Sequence, residues 1–422
     1  MTKPMSLRLY GLATGLAEPL APLLLASRAR RGKEDAARLG ERLGHAGRTR
    51  PNGPLIWLHG ASVGESLSLL PLIARIRAER PDLTVLVTSG TRTSAELLGQ
   101  RLPKGAIHQY APIDAPGPVA RFLGHWRPGL GLFAESELWP NLILGARRRG
   151  VRLALISARM TEASARGWSR RPNAAKAMLG GFEAILAQDA ASEARLGKLG
   201  GHVTGRLNLK RLGLAPPVDA AQLAALKAAI GDRRIVLAAS THPREEALIA
   251  AAAQNAPGHP LLIIAPRHPD RGEAIAAELS QAGFEVRRRS QGADPTQGAD
   301  IYLADTLGEM GLFYRLADAA VMGGSFVSGV GGHNPLEAAA LGVGVLTGPE
   351  RFNHADPYAE MIAAGAALGV ADAPGLGREL MALLAAPDRL RELGEHAGAY
   401  AASQAGAFED GWRAILPLLP PP

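Results

Sequence analysis

The sequence predicts an α/β protein made of two Rossmann-like, doubly wound halves. Short apolar runs alternate with helical stretches along almost all of the 422 residues, the rhythm of a mostly parallel sheet. That alternation breaks at the Pro-rich segment Leu214–Val218 (LAPPV) and then starts again. The apolar run Ala319–Met322 breaks at Gly323-Gly324 into a glycine-dense loop that ends in Asn334-Pro335-Leu336-Glu337. A strand, a Gly-rich turn and a helix N-terminus in that order are how α/β proteins hold phosphate.

In chain order, Leu7–Ser27 is apolar but interrupted by Arg8, Glu18, Pro19 and Pro22, and the cluster Arg28, Arg30, Arg31 and Lys33 follows. Secretory signals carry their charge before the apolar part. Apolar first and basic second reads as an anchor lying on a cytoplasmic leaflet, the alternative being a soluble amphipathic helix. Lys33–Gly44 reads as an exposed helix. Strands are expected at Pro54–His59, Leu83–Thr88, Leu130–Phe133, Leu153–Ile156 and Ala184–Ala187, with a helix over Leu67–Arg77. After the linker, strands are expected at Ile235–Ala239, Leu261–Ala265, Glu285–Arg287, Ile301–Leu303, Ala319–Met322 and Val343–Thr347. The division is therefore 1–30 anchor, 31–213 first half, 214–222 linker and 223–422 second half, the last helix packing back on the first half. Ligands belong at the C-terminal ends of the strands and in the crevice between halves.

Composition narrows the partners. The chain has no cysteine, which removes disulfide and thiolate chemistry, and a formal charge of +8, which suits an anionic partner. Aromatic content of 5% offers no stacking platform, which argues against nucleic acid. No Asp-x-Asp, His-Glu-x-x-His or cysteine constellation suggests a metal, and no cofactor is expected.

Four strand ends carry candidate chemistry besides the glycine loop. After the first strand, Gly60-Ala61-Ser62-Val63-Gly64-Glu65 reads either as a capping box or as a loop presenting Glu65 as a general base. Glu135-Ser136-Glu137-Leu138-Trp139-Pro140-Asn141 places two carboxylates after an apolar strand, where a helix-start charge pair competes with a functional Glu135. Ser240-Thr241-His242-Pro243-Arg244-Glu245-Glu246 reads as a helix start near a ligand. Pro266-Arg267-His268-Pro269 presents Arg267, whose fork suits phosphate. In the glycine loop, Gly324, Ser325 and Asn334–Glu337 form the anion cradle, Asn334 as N-cap, Pro335 as first helical residue and Glu337 as capping partner. A dinucleotide fingerprint does not fit, because the sixth position from Gly329 is Asn334.

Taken together these motifs resemble the 3-deoxy-D-manno-octulosonic acid (Kdo) transferases of lipopolysaccharide synthesis. The resemblance spans nearly the whole chain: Gly32-Lys33-Glu34 with Arg38–Gly44, Ser62–Glu65, ESELWPN at Glu135–Asn141, Ser157–Met160 and Ser240-Thr241-His242. It continues through Pro266–Pro269, Asp305–Met310, Gly323–Ser325 and GGHNPLE at Gly331–Glu337. It implies a GT-B fold, two Rossmann-like domains facing across a cleft, with an acceptor half, a donor half and an N-terminal membrane-associated helix. It implies inverting transfer from CMP-Kdo to a lipid A precursor at the inner membrane, without a metal. Glu65 would be the base and Glu135 a transition-state stabiliser. Pro266, Arg267, Leu307, Gly308, Glu309 and Asn334–Glu337 (Pro335 and Leu336 included) would hold CMP.

The family pattern Thr-Gly-x-Leu-Lys reads here Thr204-Gly205-Arg206-Leu207-Asn208-Leu209-Lys210. Asn208 stands where the lysine is expected, so Lys210 or Arg206 acts from a shifted position or the contribution is absent. Pro243-Arg244 replaces the family's acidic-Gly. Retaining GT-B transferases resemble one another in a Glu eight residues before the helix Glu, and Gly329 occupies that position here. The competing readings are another GT-B transferase or epimerase, and a membrane-bound binding protein without activity.

Overall fold

The computed structural model describes residues 4–212, 215–254, 256–295 and 298–421. It contains two compact units: Met1–Lys210 joined by Gly406–Pro422, and Arg211–Ala405. Gly213 and Leu214, where the linker is expected to begin, lie outside the described residues, as do the first three residues of the anchor and the last residue of the chain.

In the first unit seven parallel strands, β1 (Leu55–His59), β2 (Thr84–Ser89), β3 (Ala106–Tyr110), β4 (Leu130–Ala134), β5 (Arg152–Ala158), β6 (Ala184–Ala187) and β7 (Val203–Arg206), run in the order 3-2-1-4-5-6-7. In the second, β8 (Ile235–Thr241), β9 (Leu261–Pro266), β10 (Val286–Arg288), β11 (Ile301–Leu303), β12 (Ala319–Met322), β13 (Gly344–Thr347) and β14 (Ala367–Gly369) run 10-11-9-8-12-13-14. Central strands such as LIWLH are buried at every residue because helices cover both faces of a parallel sheet. Each sheet reverses direction once, between β1 and β4 and between β8 and β12, and a crevice opens at such a reversal.

Three strands are missing from the sequence-based expectation: β3, β7 and β14. All three are edge strands, half-buried in alternation or at one end only, so they lack the apolar run by which buried strands are recognised. The helix expected over Leu67–Arg77 is two helices, Val63–Ser68 and Leu70–Glu79, broken where Pro71 cannot donate back to the preceding turn.

The exposed helix expected at Lys33–Gly44 is also corrected. It is a 3-10 turn at Ala36–Arg38 and a single helical turn at Leu39–Arg42, with Glu34 and Glu41 buried. Arg28 Nε donates to Glu34 at 2.9 Å. Arg38 donates twice to Glu41 at 2.8 and 2.9 Å, and the Tyr110 N–H donates to the same carboxylate at 2.7 Å. Arg38 also donates to the carbonyl of His108 at 3.2 Å, so this pair closes the open edge of β3 against another strand.

The N-terminal segment is helical over Met5–Ala17 and Ala21–Arg30, joined by a 3-10 turn at Glu18–Leu20. Met5–Arg30 is long and apolar enough to cross a membrane by length and composition. Leu7, Ala21 and Leu25 face the unit, whereas Leu9, Leu12, Leu16, Leu20, Leu23 and Leu24 face outward. Tyr10 donates to Asp114 Oδ2 at 3.0 Å and Glu18 accepts the Gly117 N–H at 2.9 Å, which ties the segment to the body of the unit.

Candidate active site

At the reversal of the first sheet, the ends of β1 and β4 carry the two carboxylates singled out from the sequence. Ser62 caps the helix Val63–Ser68, accepting the Glu65 N–H at 3.3 Å. Glu65 Oε1 accepts the Ser62 hydroxyl at 2.7 Å and Oε2 accepts the Ala61 N–H at 2.9 Å. The reciprocal cap is formed with its return bond one residue early, at the Ala61 N–H and not at Ser62, and it fixes the orientation of a half-buried carboxylate that keeps lone pairs for a further donor.

Glu135 is 6% exposed and has a φ of 54°, a left-handed conformation that costs a non-glycine residue on the order of 1 kcal/mol or more. Its N–H donates to the Ile156 carbonyl at 3.0 Å, and its carboxylate is ion-paired with the Lys210 ammonium. Lys210 also runs beside Gly64: a Cβ there would lie 3.6 Å from Lys210 Cε. The Ser62–Glu65 loop, Glu135 and Lys210 are thus gathered at one place. Of the two candidates for the missing family lysine, Lys210 reaches Glu135, while Arg206 pairs with Glu193 at 2.6 Å on the surface. Asn208 Oδ1 accepts the Lys210 N–H at 3.1 Å. Ser157, at a φ of 49°, accepts the Leu209 N–H on its hydroxyl at 2.8 Å and so sets the chain just before Lys210.

Glu137 has a different task. His59 Nε2 stands 3.6 Å from Glu137 Oε2, longer than a hydrogen bond, and Trp139 Nε1 donates to the same carboxylate. Burial pushes the Glu137 carboxyl up, but His59 and Trp139 outweigh it and hold the group below the usual carboxylate range. The helix that follows begins at Pro140 and not at Glu135, so neither carboxylate is a helix-start charge. Asp114 caps that helix through the N–H groups of Asn141 (3.1 Å) and Leu142 (2.8 Å), while Asn141 Nδ2 donates to Thr14 Oγ1 at 2.9 Å.

In the second unit the corresponding reversal joins the ends of β8 and β12. Gly323 packs against the chain at Ser240, where a Cβ would lie 2.3 Å from the Ser240 carbonyl oxygen. Glu245 is fully buried and accepts the N–H groups of His242 (2.9 Å), Gly324 (2.6 Å) and Phe326 (2.9 Å). The N–H at Gly324 is thereby committed to an internal carboxylate. Ser325 is also buried, its hydroxyl donating to Met322 O at 2.6 Å and accepting the Gly348 N–H at 2.8 Å. These two residues shape the loop with polar groups already spoken for.

Asn334 Oδ1 accepts the Leu336 N–H at 3.1 Å, but the expected cap is shifted by one residue: Pro335 and not Asn334 is the N-cap, Leu336 and not Pro335 is the first helical residue, and the helix is the single turn Leu336–Ala339, whose dipole is small. Pro335 and Leu336 are buried. Cationic character at this end comes instead from Arg267, which is exposed after the buried Pro266 and whose N–H donates to the Thr241 carbonyl at 2.9 Å. Beside it the imidazoles of His242 and His333 stack, with Nε2 atoms 2.9 Å apart. Burial, then the facing His242 and Arg267, pushes His333 down to about 4. The pairing of residues 242 and 333 is invisible in sequence, since 91 positions separate them.

Leu307 is 82% exposed, an unusual position for a large apolar side chain, and Gly308 follows at a φ of 84°. Glu309 accepts from Arg289 and from the Thr306 hydroxyl; the Arg289 bond, acting against burial, lowers its carboxyl. Asp305 is held by Arg288 at 2.9 Å and by the Ser290 N–H at 2.9 Å.

The architecture has solved counterparts. UDP-GlcNAc 2-epimerase from Neisseria meningitidis matches with a TM-score of 0.54 at 13% identity, covering 86% of this chain and 99% of that one. The fold is GT-B, two Rossmann-like units each with a parallel seven-stranded sheet. Residues 37–211 match the family model for 3-deoxy-D-manno-octulosonic-acid transferase (kdotransferase). The 3-deoxy-D-manno-octulosonic acid transferase of Bordetella pertussis is 37% identical over 417 residues, 94% of this chain and 96% of that protein. That of Rickettsia bellii is 34% identical over 391 residues, 92% and 93% respectively. The chain belongs to the 3-deoxy-D-manno-octulosonic acid transferase family, and is accordingly a glycosyltransferase.

Proposed function

We propose that the protein moves Kdo from CMP-Kdo to a lipid A precursor, lipid IVA, with inversion at the anomeric carbon, on the cytoplasmic face of the inner membrane. The observation that carries the reading is the gathering of Glu65, Glu135 and Lys210 at the β1/β4 reversal in a member of this family. Glu65 takes the proton of the acceptor hydroxyl as that oxygen attacks the anomeric carbon. The bond from that carbon to the CMP phosphate breaks, and CMP leaves with the electron pair. Glu135 faces the positive charge that develops on the sugar, and Lys210 holds Glu135 in place.

Donor binding is assigned to Pro266, Arg267, Leu307, Gly308, Glu309 and Asn334–Glu337 of the second unit. Arg267 supplies the fixed positive charge that a phosphate leaving group needs when no metal assists. Leu307 offers an apolar surface, and Gly324 and Ser325 support the loop from within.

Mass spectrometry of the product formed from CMP-Kdo and lipid IVA tests the reading. The expected product gains Kdo. Turnover of UDP- or GDP-sugars with none of CMP-Kdo would overturn it.

A further inference from the structure

A groove of about 670 Å³ runs between the N-terminal helix and the segment that follows Glu135. That size lies within the roughly 300–1,000 Å³ of ordinary ligand pockets. Leu9, Ala13, Leu138, Trp139 and Trp168 line the groove together with the exposed Arg171. We propose that this groove takes an acyl chain of the lipid acceptor, an inference that rests on the functional reading above and adds a binding site to it.

Leu9 lines the groove and belongs with Leu12 and Leu16 to the exposed apolar residues of the segment apolar enough to meet a membrane. Leu138 and Trp139 line it too and follow Glu135 and Glu137 directly in the chain, so a hydrocarbon chain seated there would place its sugar headgroup near the β1/β4 reversal. Trp139 is 43% exposed and sends its N–H to Glu137, the posture of an indole at a boundary between apolar and wet surroundings. Arg171 offers a cation where an anionic headgroup would lie. The helix wall is held in place by Tyr10 and Asp114, so the groove is a property of this unit's own packing.

The experiment uses the full chain in phosphatidylcholine nanodiscs. A doxyl-labelled stearate is expected to quench tryptophan emission saturably, one per chain, and Ala13→Phe, which fills the groove from an exposed position, is expected to abolish the saturable part. In steady state, Ala13→Phe is expected to raise the ratio of KM for the acylated acceptor to KM for its deacylated counterpart about tenfold. Retention in the nanodisc should match the parent protein. An unchanged ratio, or quenching indifferent to Ala13→Phe, overturns the proposal, as does a dimer whose interface buries Trp139. Absence of transfer to either acceptor would instead sink the functional reading, and the quenching measurement would still decide the groove.

Discussion

The buried carboxylate of Glu245 accepts the N–H of Gly324 at 2.6 Å, filling with a protein group the kind of concavity that glycine loops offer to anions. Three backbone donors converge on it. Glu245→Ala should leave all three without a partner and lower the stability of the second unit by about 3–5 kcal/mol, at roughly 1–3 kcal/mol for each unsatisfied buried donor. Urea denaturation followed by circular dichroism measures this; a loss below about 1 kcal/mol would contradict it.

Glu65 serves as cap and, in the proposed reaction, as base, and one substitution separates the roles. Glu65→Gln keeps an amide that can reach back to the Ala61 N–H, so stability should shift by less than about 1 kcal/mol. Turnover should fall by about 10²–10⁴-fold with little change in donor KM. Near-normal kcat in the folded variant would remove the base assignment.

Lys210 and Arg206 are readily told apart. Lys210→Met strips Glu135 of its ion-pair partner and should lower kcat at least about tenfold, or about 1.4 kcal/mol of barrier. Arg206→Ala, which breaks a surface pair with Glu193, should stay within about twofold. The reverse pattern would reassign the missing family lysine.

His108 gives the first unit a defined acid response. Burial, reinforced by the adjacent Arg38, pushes it down to about 3. Arg38 can only donate, so Nδ1 accepts from it at 3.2 Å and the Nε2–H faces Ser89 Oγ at 2.9 Å. An unfolded histidine binds its proton near pH 6.5, whereas the folded one resists until about 3. Stability from this group is complete above pH 6.5 and drains away as pH falls toward 3, by up to about 1.4 kcal/mol per pH unit. His108→Asn should flatten that slope in melting temperatures recorded from pH 7 to 4; an identical slope would refute it.

Tyr10 ties the N-terminal helix to Asp114, which caps the helix opening at Pro140. Tyr10→Phe should cost about 1–2 kcal/mol in the first unit while making the segment more apolar. Reduced retention on membranes would therefore contradict it, since only packing is weakened.

The sequence was most readable where burial is two-sided. Ten of the eleven expected strand runs are apolar, and the three strands not expected lie at sheet edges, where one flank has no neighbour to demand such residues; the edge strand β10, with Val286 its one apolar residue, is the exception that was still expected. Glu135 and Arg267 were visible because they follow buried strands directly, and Glu65 because it closes the glycine-flanked loop after one. Glu245 was not, since an acid at a helix start already has a sufficient local explanation. Only the fold brings its carboxylate to Gly324, 79 residues away. The Ser157 hydroxyl and the His242–His333 stack were hidden for the same reason: their partners are distant in sequence.

Ser157 and Ser240 each hold a left-handed backbone, at φ of 49° and 59°, where the pairing of β5 with β6 and of β8 with β9 slips. A selection for heat resistance would be drawn to both seats, because glycine there releases torsional strain. At 157 that gain forfeits the hydroxyl that sets the approach to Lys210. Laboratory evolution toward ruggedness and toward speed would therefore pull this position in opposite directions.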